Sequence, residues 1–384
     1  MLPRNPNTVF SLLVIAVALL FATGCTEQQH ATGENAPSDS SDEAKADSAS
    51  DEERVRVVRV PNGGSVPDAE VDDDGVVHLV YLFEGDIYYV SSSDNGQNFG
   101  EPVRVNSEAG FAAGAAFRGP DVAVGGNGRV HVVWYNAAYQ QKRPTDEWGV
   151  MYSRLALDGS AFEAARNLNH TPSDNYSLAA DQSGRVAVVW MADGVFANVS
   201  RDNGDSFSAP IDLKTDPCEC CGSRAVLSNE ETLYVLYRDK VDNDRDTYLA
   251  LLPANGQQFT HSKVSQTVWH IDSCPMTGSF LSNTNDGLVA AWETKTEIYF
   301  TRLDRSGQRV SKQEIHVADR GRYPVVLTAT DGVTVAAWKN GASLEWQLFD
   351  ADDAPLRERG TSAANAPDRP AGVVLKDGTF LLFP

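Results

Sequence analysis

The chain has 384 residues, with 53 Asp and Glu against 32 Lys and Arg and a formal net charge of -21. That acid excess argues against nucleic acid and against an anionic membrane face as partners. Only five cysteines are present, and three of them fall within residues 218–221.

Residues 1–25 read "MLPRNPNTVFSLLVIAVALLFATGC". The apolar run from Val9 to Phe21 is too short and wrongly flanked for a spanning helix, and has the form of a secretory signal. Its ending, "ATGC", resembles a bacterial lipobox, which implies a signal peptide over 1–24 and lipidation of Cys25. Thr26 follows rather than Asp, which by the same resemblance implies the outer membrane, facing the periplasm or the cell surface. Residues 26–53 hold nine acidic residues, one Lys and no large apolar side chain. Such a stretch cannot offset its ordering entropy, so 25–53 is expected to be a disordered acidic tether. Membrane contact is then expected only through the lipid.

From residue 54 onward one pattern recurs: a short apolar run, a Gly or Asp turn, and an apolar strand ending in an aromatic. Instances are "DAEVDDDGVVHLVY", "DVAVGGNGRVHVVW" and "VVLTATDGVTVAAW". The closing aromatics are Tyr81, Trp134, Trp190, Tyr237, Trp292, Trp338 and Phe383, spaced 45 to 56 residues apart. Hairpins at that period, with two further strands per unit, predict an all-β fold: a β-propeller over 54–384.

Two units also carry Ser-x-Asp-x-Gly-x-x-Phe, as Ser92, Asp94, Gly96, Phe99 and as Ser200, Asp202, Gly204, Phe207. Asp accepts backbone N–H bonds, Gly supplies positive φ, and the aromatic packs between strands. These segments resemble the Asp-box (BNR) hairpins of sialidase-like propellers, with degenerate copies at 158–162 and 255–259. Asp boxes are structural and carry no activity. Seven blades follow from the repeat count, with six, as in true sialidases, the alternative. The unpaired "ERVRVVRVP" at 53–61 is expected to complete the last blade and close the ring.

The repeat also works as a ruler. Sixteen residues before the closing aromatics lie Ser65, Arg118, Asp174, Cys221, Met276, Arg322 and Pro367, where each blade is entered at the channel mouth. Cys218, Cys220 and Cys221 therefore enter one blade and Cys274 the next, with His270 and Met276 nearby. With Cys25 lipidated, four cysteines remain in an oxidising compartment, where disulfides are the default. A bridge between Cys220 and Cys221 is strained, and one from Cys274 to the triplet leaves two thiols over. Cys218, Cys220, Cys221, Cys274, His270 and Met276 also form a soft ligand set for one copper or zinc ion. A redox-active thiol–disulfide pair near Arg224 is the third reading. Mouth loops add Arg238, Asp239, Glu293 and Lys339, and with Arg118, Arg224 and Arg322 they predict a locally basic mouth. Such a mouth suits an anionic small molecule or glycan, unless those arginines pair with nearby Asp.

"FRGP", Phe117–Pro120, resembles the Phe/Tyr-Arg-Ile-Pro motif of sialidases, with Gly119 in place of Ile. The resemblance implies an arginine triad of Arg118, Arg224 and Arg322, a Tyr323 nucleophile with Glu293 as its partner, and Asp174 as acid/base. That chemistry needs Tyr323 and Glu293 within hydrogen-bond reach. The Cys-x-Cys-Cys segment and "WHIDSCP", Trp269–Pro275, are similar to those of a set of exported sialidase-like proteins. The sequence is thus read as a monomeric cell-envelope lipoprotein with a binding or accessory role. A soft metal or a redox-sensitive bridge sits at its mouth. A sialidase-type glycosidase is the alternative, and a scaffold for a protein partner the third.

Overall fold

The computed structural model describes residues 54–256, 258–364 and 368–384. The signal segment, Cys25, the tether and Pro367 lie outside the described residues. Among those residues are seven sheets, each antiparallel within itself save for one strand. Counted from the axis outward, blade one is Ser65–Val71, Val77–Phe83, Asp86–Ser92 and Val103–Arg104. Blade two is Asp121–Gly125, Arg129–Asn136, Val150–Arg154 and Arg166–Asn167, with Ala112–Ala113 also pairing to its second strand. Blade three begins at Tyr176, blade four at Arg224, blade five at Ser279, blade six at Arg322 and blade seven at Ala371. The innermost strands neighbour one another round the full ring, from Ser65–Val71 to Ala371–Val374 and back.

The seven-bladed form answers the blade count, and the six-bladed alternative falls. Blade seven has only two C-terminal strands, and Val55–Val57 completes it, as expected for the N-terminal strand. It runs parallel to Phe380–Phe383, pairing Val55 with Phe380 and Val57 with Leu382. Two flanking bonds, Phe380 N–H to the Arg54 carbonyl (2.7 Å) and Val58 N–H to the Leu382 carbonyl (2.8 Å), extend the seam.

The second strands are apolar nearly throughout because neighbouring blades cover both faces. Tyr81, Trp134, Tyr237, Trp292, Trp338 and Phe383 are buried, and Trp190 nearly so. Each gap between blades holds its own apolar layer, such as Val122, Val132 and Trp134 against Val80, Ile87 and Tyr89. In both Asp boxes the Ser hydroxyl takes the Gly N–H at 2.9 Å, Gly96 on Ser92 and Gly204 on Ser200. The aspartates accept from the turn, Asp94 from Asn98 N–H and Asp202 from Ser206 N–H, each at 2.9 Å. Gly204 has φ 82°, and a Cβ there would fall 1.8 Å from the Tyr152 hydroxyl. Phe207 packs edge-on to Tyr152, and Phe99 to Phe383.

Candidate functional site

All seven blades meet in a small pocket of about 40 Å³ at the axis, between Arg118, Asn175, Arg224, Ser279, Tyr323 and Arg369 among others. The cysteine loop stands beside it because three contacts sew it down. Cys218 N–H donates to the Arg238 carbonyl (2.8 Å), at the end of the second strand of blade four, and Cys221 N–H to the Cys218 carbonyl (2.8 Å). Gly222 N–H donates to the Thr277 carbonyl (2.8 Å), which docks the entry of blade five, and with it Cys274, against the triplet.

The four sulfurs lie within 4.8 Å of one another. Cys220 and Cys274 are joined as a disulfide, with Cα atoms 6.5 Å apart. Cys218 and Cys221 are buried thiols 3.5 Å apart. The Cys218 sulfur is also 3.7 Å from that of Cys220 and 4.0 Å from that of Cys274. Burial works against a Cys221 thiolate. The contact with Cys218, the Arg238 charge and the Thr277 N–H and hydroxyl outweigh it and bring Cys221 down to about 6. Cys218 is pushed up by its contact with Cys221 and by burial. One of the two thiols therefore ionises readily and the other keeps its proton.

His270 stands outside this cluster. Its exposed ring places Nδ1 2.9 Å from Asp244. Met276 is 45% exposed, has φ 50°, and gives its carbonyl to Arg322 at 2.7 Å.

The arginines do not make a basic mouth. Arg224 is half-buried against Asp68 (3.0 Å) and Asp121 (3.8 Å), and Arg369 closes the same network on Asp121 at 2.6 Å. Arg238 is buried over the Trp269 ring (5.1 Å) and donates to Thr277 (3.2 Å) and to the carbonyls of Arg245 and Glu293. Arg322 lies 3.5 Å from Glu293. Arg118 is turned to the Asp174 carbonyl (2.8 Å) and stacked on Phe117. Tyr323 is buried at φ 52°, its ring 5.8 Å from that of Phe117, and burial raises its hydroxyl. No hydrogen bond joins Tyr323 to Glu293 among the described residues. Burial pushes Glu293 up to about 7 despite Arg322 and Arg238. Asp239 is half-buried and its carboxyl is raised, burial being the main cause. Asp174 is exposed.

No family model matches the chain, and no curated protein matches it. Solved structures do. A polysaccharide lyase of family PL25, an ulvan lyase bound to -[GlcA(1-4)Rha3S]-, superimposes with a TM-score of 0.50 at 12% identity, over 84% of this chain and 87% of that one. A protein from Lactobacillus plantarum gives 0.51 at 13% identity, over 81% and 88%. Leech intramolecular trans-sialidase gives 0.47 at 8% identity, over 78% and 68%. The chain is a seven-bladed β-propeller. At these identities the likeness is one of fold alone.

Several residues of the propeller's mouth escaped the sequence reading. Asp68 and Asp121, which neutralise Arg224, follow prolines at matching places in blades one and two, "VPD" and "GPD". That repeated Pro-Asp was a legible sign of a shared inward carboxylate. Arg369 lies two residues before the blade-seven strand in "DRP", much as Arg118 precedes blade two. Nothing in the sequence marked Arg245, which is buried beside the thiols with Nε and Nη1 unpartnered.

Proposed function

We propose that the chain is a cell-envelope lipoprotein whose propeller is a binding or accessory protein for one soft metal ion, copper(I) or zinc(II). Cys218, Cys220, Cys221 and Cys274 would hold it. The observation that supports this is the meeting of four sulfurs within 4.8 Å. A tetrahedral ion with metal–sulfur bonds of about 2.3 Å needs sulfur–sulfur edges of about 3.8 Å. The three edges at Cys218 measure 3.5, 3.7 and 4.0 Å. Thiolates suit soft ions, and the buried guanidiniums of Arg238 and Arg245 put positive charge opposite the anionic ligand set. Holding an ion with all four sulfurs requires the Cys220–Cys274 bond to be reduced by two electrons.

Native mass spectrometry of the mature protein, reduced and then offered Cu(I) or Zn(II), tests the reading. One ion per chain, absent from Cys221→Ser, is the expected result; a reduced protein that stays at its apo mass sinks it.

A second reading, thiol–disulfide exchange, draws support from the Cys218 sulfur standing 3.7 and 4.0 Å from the two bonded sulfurs. The glycosidase alternative has less behind it, since Arg224 is already matched by two aspartates and Tyr323 lacks its bond to Glu293.

A further inference from the structure

Beside the cysteine loop, the same face carries a cleft of about 800 Å³, within the range of small-molecule sites. Its outer wall is an insertion. Between the second and third strands, blades one, three, five and six have turns of two or three residues, whereas blade two has the thirteen of 137–149. Long connections of this kind are where binding surfaces concentrate.

The inserted loop is braced. Arg143 stacks on Phe111 at 4.0 Å, pairs with Glu108, lies 3.5 Å from Glu147, and offers its carbonyl to the Trp148 indole N–H at 3.1 Å. The bracing sets Trp148 edge-on to Tyr139, ring centroids 4.9 Å apart and planes at 88°. Tyr139 is nevertheless 67% exposed. A firmly held loop thus presents a large ring to water, and a ligand face that covers it is stabilised by the apolar surface removed from solvent.

The inner wall is acidic. Glu219, between Cys218 and Cys220, faces Asp193, and Asp174 lies near both. The one guanidinium on the cleft, that of Arg118, is engaged by the Asp174 carbonyl at 2.8 Å. Hydrogen-bond acceptors are therefore in excess, and three carboxylates face the space against the single charge of Arg118.

We propose that this cleft binds a neutral, hydroxyl-rich saccharide. Its C–H face would stack on Tyr139, and its hydroxyls would donate to Asp174, Asp193 and Glu219. Carboxylate or sulfate groups on the sugar would meet those same three carboxylates and be repelled, so the anionic ligand expected from the sequence does not suit this cleft. The inference does not depend on the metal reading, because no sulfur takes part in it.

The test is affinity electrophoresis of the full mature chain through gels containing a β-glucan, a mannan, a xylan or, as the polyanion, polygalacturonate. Retardation by at least one neutral polymer and none by polygalacturonate is expected. Tyr139→Ala and Asp193→Asn should each weaken that retardation at least about tenfold, with the circular dichroism spectrum unchanged. Both side chains are exposed, so neither change threatens the fold. Retardation by polygalacturonate, neutral binding that survives both substitutions, or no retardation by any neutral polymer each overturns the proposal.

Discussion

One carboxyl near the channel is pushed toward keeping its proton at pH values where free glutamate has lost its own. Glu70 accepts the Val124 N–H at 3.2 Å, and burial, reinforced by the Asp68 charge, pushes it up to about 8. In the unfolded chain the same group ionises near 4.5. The folded state holds the proton between those values and the unfolded state does not, so this group costs stability as pH rises from 4.5 through about 8. Glu70→Gln keeps the acceptor and removes the charge. It is expected to raise the melting temperature at pH 8, the gain in stability being at most about 4 kcal/mol, and to change little near pH 4.5. An equal gain at both pH values would contradict the assignment. At the thiols, Cys221→Ser is expected to abolish metal stoichiometry while Tyr323→Phe leaves it intact, read by elemental analysis of the reduced, reloaded protein. A glycosidase reverses that pattern, with turnover lost in Tyr323→Phe.

At the scale of the blade, the Asp box and the buried His–Tyr pair carry the fold. Asp202 is held down to about 2 by its bonds from Ser206 and Ser200, so the stability it lends is present above the usual carboxylate value and lost as pH falls through about 2. Asp202→Ala is expected to lower the melting temperature by about 2–4 °C for each kcal/mol lost, without touching metal uptake. His131, bonded to the Tyr152 hydroxyl at 2.8 Å, is pushed down to about 3, burial being the main cause. The unfolded chain takes up a proton there from pH 6.5 downward and the folded chain does not, so acid destabilises blade two from that point.

The hairpins and the Asp boxes were legible because they repeat. The strand–turn–strand aromatic and the Ser-x-Asp-x-Gly-x-x-Phe turn sit within single hairpins, and the repeat frame sufficed to bring Cys274 to Cys218. Pairings across the ring were not legible. Asp68 meets Arg224 across 156 positions, so the mouth read as basic from composition alone. The bracing of the blade-two insertion by Arg143 was not legible either, since it depends on Glu108 and Phe111 in the preceding connection.

As a whole the molecule is a ring closed by few residues. Val55–Val57 covers the edge of Phe380–Phe383, and Arg54 reaches Asp331 of blade six at 2.7 Å. Removing residues 54–58 bares that edge, so a lower melting temperature and concentration-dependent association in light scattering are expected. Phe380→Ala, which empties a fully buried position at the seam, is expected to cost about 3–5 kcal/mol in chemical denaturation. Blades four and five are direct neighbours in that ring, and the Gly222 N–H bond to the Thr277 carbonyl sets Cys274 against Cys218, Cys220 and Cys221. The most direct test of the central claim is the X-ray absorption spectrum of the reduced, metal-loaded protein. Four sulfur scatterers at about 2.3 Å are expected; a first shell dominated by nitrogen or oxygen would contradict the cysteine site.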